Sequence, residues 1–265
     1  MDTGFLNRCG VVFRGDLAVP LEQKLNARMA VQTARPTFTR IVPGVGDRKM
    51  QTFDDASSQG LTTGAVLHPL LPMAYPFTVI VHVRRDDTSG WHAIIASGTW
   101  GNNGWNLLFQ SGVGYLLMAN AAASSTAVST SGAAVVPTAT HVTAAYVGRS
   151  AADHKWWCYD LEARAWVFED YADTSSETLT PSTRGIDVGC ARNSIGGAWD
   201  FFQGGIGVIY ALPEAVPDNE LRQVMMRPYA PLVDDVRRLA TDFAALASQP
   251  AAFFPDTDWI AAGAP

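Results

Sequence analysis

Short segments rich in β-branched and aromatic residues, separated by turn residues, constrain the fold of this chain most strongly. Phe77–Val83 and His141–Gly148 are two such segments, and residues 86–90 form a cluster of Asp, Thr, Ser and Gly after the first of them. Frequent turns between short strands are typical of an antiparallel sandwich, because parallel strands need longer crossover connections. We therefore predict an all-β protein, a two-sheet antiparallel jelly-roll sandwich over residues 48–231.

Two flanking segments differ from this region. Residues 1–47 are predicted to form an N-terminal extended arm with a short helix at Pro20–Met29, and residues 232–265 a C-terminal tail that is partly helical. Both segments carry apolar side chains but are too short to bury them alone, and soluble monomers avoid large exposed apolar patches. We therefore expect contacts with sister subunits or with a larger capsid or tail protein; packing on their own sandwich is the alternative. The candidate assembly residues are Phe13, Phe38, Phe253, Phe254 and Trp259.

Local patterns also predict how the core is filled. Gly204, Gly205 and Gly207 within one strand indicate a bulge or a close approach of the backbone to its neighbours. A helix is predicted after Pro217, with Asp218 as its N-cap. Tryptophans at strand starts are predicted to lie in the core rather than to bind sugars, namely Trp91, Trp105, Trp156 or Trp157, and Trp166.

Charge and cysteine content exclude several classes of protein. The formal net charge is −6 and no basic cluster is present, so we expect no binding to nucleic acid, which requires one. No run of about 18 apolar residues occurs, so we expect no membrane-spanning segment. Cys9, Cys158 and Cys190 show no paired spacing and are predicted to be free thiols, the last two in the core on neighbouring strands.

Sequence patterns for catalysis are missing. Retaining glycosidases need two carboxylates close together, and a pattern such as Glu-x-Asp-x-x-Glu supplies them because alternate residues of a strand share a face. This chain contains no Glu-x-Asp, and its nearest pairs, Asp160/Glu162 and Asp218/Glu220, fit a turn and a helix start better. We expect that the protein is not an enzyme, and that no two carboxylates face a cleft at a separation of roughly 5–10 Å.

The loop over residues 99–104 is the candidate ligand-binding segment. Its Trp100 could stack on a sugar ring, and Asn102 and Asn103 could hydrogen-bond hydroxyl groups; the alternative is a turn in which Asn and Gly adopt left-handed conformations.

No cofactor is expected from the sequence. The spacing of the histidines matches no metal motif, and their strand positions predict structural roles. Calcium stays open, with Asp86/Asp87 or Asp170/Asp173 as the carboxylates that could contribute.

The order of several motifs resembles the laminin-G-like members of the concanavalin A-like lectin/glucanase superfamily. The resemblance covers about two thirds of the chain, from residue 49 to 231. The segments that carry it are Phe53-Asp54, Pro76–Val79, Gly104–Leu107, His141–Tyr146, Trp156–Asp160, Ile186–Gly189 with Asn193, Phe202–Gly207, Leu212–Leu221 and Arg227–Tyr229. One departure is Leu161, where the family usually has glycine.

This resemblance implies a concanavalin A-like sandwich and a role in binding or assembly. Stand-alone domains of this type are similar to those found in particles of tailed bacteriophages. The resemblance therefore implies a virion structural protein, made in the cytoplasm of a bacterial host, that serves as a capsid decoration (cement) protein or a fibre or tail component. The alternative is a carbohydrate-binding lectin-like or adhesin module that recognises a surface glycan.

Overall fold

The computed structural model describes residues 4–23, 27–32, 34–42, 48–64, 74–87, 89–99, 103–110, 114–120, 127–131, 134–173, 184–192 and 197–233. Within them lie two helices, α1 (Phe5–Arg8) and α2 (Asp218–Met226). The strands are β1 (Val11–Arg14), β2 (Leu21–Glu22), β3 (Ala27–Arg28), β4 (Ala30–Val31), β5 (Thr37–Ile41), β6 (Lys49–Phe53), β7 (Leu61–Thr62), β8 (Phe77–Arg85), β9 (His92–Thr99), β10 (Asn103–Phe109), β11 (Leu116–Asn120), β12 (Ala127–Thr130), β13 (His141–Ser150), β14 (Asp153–Asp160), β15 (Ala165–Asp173), β16 (Ile186–Val188), β17 (Ala191–Arg192), β18 (Ala198–Trp199) and β19 (Gly204–Leu212).

Two antiparallel sheets form the predicted sandwich. The larger has ten strands, in the order β15-β14-β13-β8-β19-β1-β2-β3, and β6 joins β19 and carries β5. The smaller has seven, in the order β12-β11-β10-β9-β16-β7-β4, and β17 and β18 form a separate hairpin. The paired strands are all antiparallel within the described ranges, which confirms the predicted all-β jelly-roll class. No described helix is long and apolar enough to cross a membrane.

The main core lies between the two sheets. Trp105 from the smaller sheet and Trp156 from the larger are fully buried in it, as predicted. Trp166 is partly buried and packs on the other face of the larger sheet. The prediction for Trp91 was wrong, because β9 begins one residue later and leaves this side chain 38% exposed.

A second apolar layer covers the outer face of the ten-stranded sheet. Trp157 and Tyr210 point to this side, and α2 packs there through Leu221, Val224 and Met225. The larger sheet is therefore buried on both faces, which explains why β8 and β19 are buried at almost every position rather than at alternate ones.

The glycines of β19 allow close packing, as predicted. A Cβ at Gly207 would clash with the Tyr229 hydroxyl and with Nδ1 of His82, and one at Gly205 with Sδ of Met50. The register between β19 and β8 also shifts after Ile206, so the strand contains the predicted irregularity.

The N-terminal segment belongs to the sandwich, so the prediction of an extended arm was wrong for much of it. Val11–Arg14 pairs with residues 208–211 of β19, and Phe13 is 1% exposed in the main core. Phe13 therefore cannot serve as an assembly residue on the surface. The predicted helix at Pro20–Met29 was also wrong, because β2 and β3 pair with each other there.

Other predicted assembly residues have different outcomes. Phe38 lies on β5, which pairs only with β6 among the described strands, and its side chain is partly buried. Phe253, Phe254 and Trp259 lie outside the described residues, as does the helix predicted within the tail.

The three cysteines are free and buried. Cys158 lies in β14 of the larger sheet, whereas Cys190 follows β16 of the smaller one. Placing them on neighbouring strands was therefore wrong, although both are core residues as predicted.

Two buried histidines lie in the outer layer, on β8 and β13. Nδ1 of His82 lies 2.9 Å from the hydroxyl of Tyr229, and the ring of His141 stacks at 5.5 Å from that of His82. Burial lowers the pKa of His82 to about 3, with a further contribution from His141, and burial lowers the pKa of His141 to about 4. Both are therefore neutral at physiological pH, in agreement with the structural roles predicted for them.

We predict that Phe13→Ala lowers the free energy of unfolding by about 3–5 kcal/mol, because it opens a cavity in the main core. Ile41→Ala, which changes a side chain that is 58% exposed, should alter it by less than about 0.5 kcal/mol. Urea unfolding of both variants measures the difference. A loss below about 1 kcal/mol for Phe13→Ala would mean that the N-terminal strand is not part of the cooperative core.

We also predict that stability falls as the pH is lowered from about 6.5 towards 4. The unfolded chain takes up a proton at His82 near its ordinary pKa of 6.5, whereas the folded chain does not until about pH 3. This costs about 1.4 kcal/mol per pH unit for His82, and His141 acts in the same direction. His82→Gln should flatten the slope measured by urea unfolding at several pH values. Phe13→Ala, which is destabilised but keeps both histidines, should show the same slope of stability against pH as the parent. An unchanged slope in His82→Gln would contradict the lowered pKa of His82 as its cause.

Candidate functional site

Three turns meet at the end of the sandwich where β8 ends and β9 begins. They are residues 54–58 after β6, residues 86–87 and 89–91 between β8 and β9, and residues 200–203 before β19. We refer to these turns together with His92 as the rim. The antiparallel pairing of β19 with β8 and β6 brings the three turns to the same end of the sheet.

Two carboxylates and an imidazole converge at the rim. One ligand-type atom each from Asp55, Asp87 and His92 lies within 4.8 Å of the others. The backbone N–H of Asp55 donates to Oε1 of Gln203 at 2.9 Å, which fixes the first turn against the third. The carboxylate of Asp87 accepts from the backbone N–H and the hydroxyl of Ser89, at 2.9 and 2.6 Å. These bonds hold the backbone of Asp55 and the carboxylate of Asp87 in place.

The imidazole of His92 is held between two backbone carbonyls. It is 4% exposed, its Nδ1 lies 2.7 Å from the carbonyl oxygen of Phe201, and its Nε2 contacts the carbonyl oxygen of Ser89. Because His92 pairs with Phe109, its side chain points to the interior side of the smaller sheet.

A third carboxylate, Asp200, lies beside this group. Burial raises the pKa of Asp200 to about 6, and the charge of His92 acts in the opposite direction. Its backbone has a positive φ of 48°, and its carbonyl accepts from the N–H of Ala93 at 2.9 Å.

Trp91 provides the exposed aromatic surface of the rim. It is 38% exposed and directly precedes His92. An exposed aromatic ring can stack on the C–H groups of a sugar, and carboxylate oxygens in the same region can accept hydrogen bonds from its hydroxyl groups.

The predicted ligand loop lies elsewhere. β9 starts at the rim and ends at Thr99, so the loop to β10 is at the opposite end of the strand. Trp100 and Asn102 lie outside the described residues, and Asn103 is the first residue of β10, paired with Thr99. Gly104 lies in β10 opposite Gly98, has a φ of +94° and packs against the carbonyl of Ser97.

The carboxylates proposed for calcium have different partners in the structure. Arg40 and Arg84 both form ion pairs with Asp86, at 2.6 and 2.8 Å, whereas Asp87 joins the rim cluster. Asp170 pairs with Lys155 at 3.1 Å, and the side chain of Asp173 is outside the described part of the chain.

The sequence did not reveal Asp55, His92 and Asp200 as site residues, since they come from separate segments without a shared motif. The only local signal was the turn chemistry around each.

Comparison with known proteins supports the fold. No protein-family model and no curated protein matches the sequence. Among solved structures, the chain is similar to domain 4 of AbnA, a GH43 extracellular arabinanase from Geobacillus stearothermophilus, in complex with arabinotriose. The two share 12% identity over 82% of this chain and 98% of that domain, with a TM-score of 0.54.

Two other similar structures come from larger proteins. One is the enzymatically active domain of tailspike protein 2 from bacteriophage CBA120. The two share 10% identity over 75% of this chain and 30% of that one, with a TM-score of 0.51. The other is the binding domain of botulinum neurotoxin DC in complex with rat synaptotagmin II, with 11% identity, coverages of 83% and 51%, and a TM-score of 0.50. The chain thus spans less than two thirds of either. At these identities the likeness shows a shared β-sandwich fold.

Proposed function

We propose that this chain is a non-catalytic, glycan-binding component of a tailed-phage fibre or tail, and that its rim contacts the sugar. The observation that carries the proposal is the exposed side chain of Trp91 in the turn that also carries Asp87, at the end of the sandwich where Asp55, Asp87 and His92 converge. The ring offers a stacking surface, and the carboxylates accept hydrogen bonds from hydroxyl groups.

The position of Trp91 supports binding rather than packing. Other tryptophans of this sandwich, such as Trp105 and Trp156, are fully buried, which shows that its core accommodates large aromatic side chains. Trp91 lies one residue before β9, where the turn lifts it out of the sheet. Exposed aromatic side chains are common anchors in recognition sites, because they have few rotatable bonds and lose little conformational entropy on binding.

The comparisons support the proposal by analogy. One structural neighbour is a domain in complex with arabinotriose, and another belongs to a phage tailspike. The resemblance to laminin-G-like, concanavalin A-like domains points the same way. Because a fold hosts many functions, the rim and not the likeness is what the proposal depends on.

The non-catalytic part of the proposal needs a direct test. Asp55 and Asp87 approach each other within the range where retaining glycosidases hold their carboxyl groups, about 5 Å, and such proximity was not expected from the sequence. The carboxylate of Asp87 already accepts two bonds from Ser89, and His92 lies within the cluster. We therefore propose that these carboxylates bind rather than react.

A capsid decoration protein is the remaining alternative. That role would depend on assembly contacts with sister subunits or a larger capsid protein, through residues such as Phe38, Phe253, Phe254 and Trp259. Phe13 is inside the core and Phe38 is partly buried, so the described N-terminal segment offers few of these contacts. We favour a fibre or tail component for this reason.

We predict that the chain binds a subset of bacterial surface glycans and that Trp91→Ala weakens this binding by about tenfold or more, because a stacked aromatic contributes on the order of 1–2 kcal/mol. Trp91→Phe should retain part of the affinity. A glycan array identifies the ligand, and calorimetry measures the variants. Met226→Ala, which changes an exposed side chain on α2, is the matched control and should bind normally.

Two outcomes would contradict this proposal. Equal affinity of Trp91→Ala and the parent would remove the rim from the binding site. Release of reducing ends from the bound glycan, abolished in Asp87→Asn, would show that the protein is a hydrolase.

We also predict that the protein is found in the virion, at the fibre or tail. Immunogold electron microscopy of particles of the virus that encodes the chain should label the tail. Labelling spread over the capsid shell would instead support decoration, and absence from purified particles would contradict a structural role in the virion.

A further inference from the structure

We propose that Asp55, Asp87 and His92 bind a divalent transition-metal ion of the Zn²⁺ type. The proposal goes beyond glycan binding and does not depend on it. Its basis is the convergence of these ligand atoms within 4.8 Å and the way in which His92 is held.

The contact with Phe201 orients the imidazole as a metal ligand. When Nδ1 carries the proton, it donates to the carbonyl oxygen of Phe201 at 2.7 Å. Metal-binding histidines almost always donate their second ring N–H in this way, because the bond fixes the tautomer and the ring orientation. The lone pair is then on Nε2.

The contact at Nε2 then calls for a positive charge. In the neutral ring, this lone pair faces the carbonyl oxygen of Ser89, which is also an acceptor. Two acceptors in contact repel each other unless a proton or a cation lies between them. A metal ion can take the lone pair of Nε2 once the carbonyl of Ser89 moves aside, since the direct contact leaves no room for an ion between the two atoms. The alternative is a doubly protonated imidazolium that donates to both carbonyls.

The surrounding charges favour a cation. No described Lys or Arg forms an ion pair with Asp55, and Asp200 adds a further carboxylate near His92. Arg40 and Arg84 pair with Asp86, which lies outside the cluster. The guanidinium of Arg85 interacts electrostatically with Asp87 and lies 5.1 Å from the ring centre of Phe109.

The donor set selects the type of ion. An imidazole nitrogen with two carboxylates suits Zn²⁺ and its neighbours, whereas Ca²⁺ and Mg²⁺ prefer oxygen donors alone. Two ligand atoms that each lie about 2.0–2.2 Å from one Zn²⁺ ion are closer to each other than 4.8 Å. Binding would therefore move the turn of residues 54–58 towards the ion.

The test measures metal binding by the full chain without any glycan. After treatment with a chelator, titration with ZnCl₂ in a calorimeter should show one ion per chain, and the melting temperature should rise with Zn²⁺. Co²⁺ in place of Zn²⁺ should give visible absorption bands that report a nitrogen and oxygen ligand set. CaCl₂ at the same concentration should cause a smaller shift.

Variants of the three ligands sharpen the test. Asp55→Asn, Asp87→Asn and His92→Gln should each weaken Zn²⁺ binding by about tenfold or more. Asp54→Asn is the matched control, since this neighbouring carboxylate accepts from Ser57 and lies outside the cluster, and it should bind Zn²⁺ normally. If His92→Gln does not fold, the exposed turn variant Asp55→Asn still decides the question.

Several results would overturn the proposal. They are absence of Zn²⁺ binding, binding that the ligand variants leave unchanged, a preference for Ca²⁺, or nitrogen NMR showing both ring nitrogens of His92 protonated with Zn²⁺ present. Trp91→Ala should keep its Zn²⁺ affinity, so failure of the glycan proposal and failure of the metal proposal are distinguishable.

Discussion

Burial of the ten-stranded sheet on both faces is the constraint on which the rest of the structure depends. All nine residues of β19 are buried, and the strand pairs with β8 on one side and with β1 and β6 on the other. A strand in this position must find partners for its backbone groups on both edges, because unpaired buried amides are costly. The N-terminal strand supplies one of these edges. This requirement explains why residues that look like a separate arm in the sequence are integral to the sandwich.

The same strand positions the rim. Gly204 starts β19 with a φ of +135°, and its backbone lies so close to the carbonyl of Arg84 that a Cβ would not fit. The end of β8 and the start of β19 are therefore fixed against each other, and the turns that follow and precede them meet. Gln203 bonds to the backbone of Asp55 and Phe201 bonds to His92. A site assembled in this way gains rigidity from the sheet rather than from its own loops.

The elements that could be predicted from the sequence are those with local signals. β8 and β19 are rich in β-branched and apolar residues with turn residues beside them. The helix α2 follows a proline as predicted, but Pro217 is its N-cap and the predicted cap, Asp218, is its first residue. The spacing of Leu21 and Met29 suggested a helix, but pairing of β2 with β3 and β1 overrode that preference. The rim could not be predicted, because Asp55, His92 and Asp200 meet only through the pairing of distant strands. The residue types of the loop over residues 99–104 instead predicted ligand binding there, because Trp and Asn are common in sugar-binding sites and also in ordinary turns.

The exposure of Trp91 and the burial of His92 have one cause. Successive residues at the start of a strand point to opposite sides, so the register that pairs His92 with Phe109 turns the imidazole inward and leaves the preceding indole outside. The inward imidazole has a backbone carbonyl at each ring nitrogen, and the carboxylates of Asp55 and Asp87 add negative charge beside it. A one-residue shift of β9 would bury Trp91 in the manner expected from its sequence pattern and would expose His92, removing both features at once. The register of a single strand therefore creates both the stacking surface and the polar cluster of the rim.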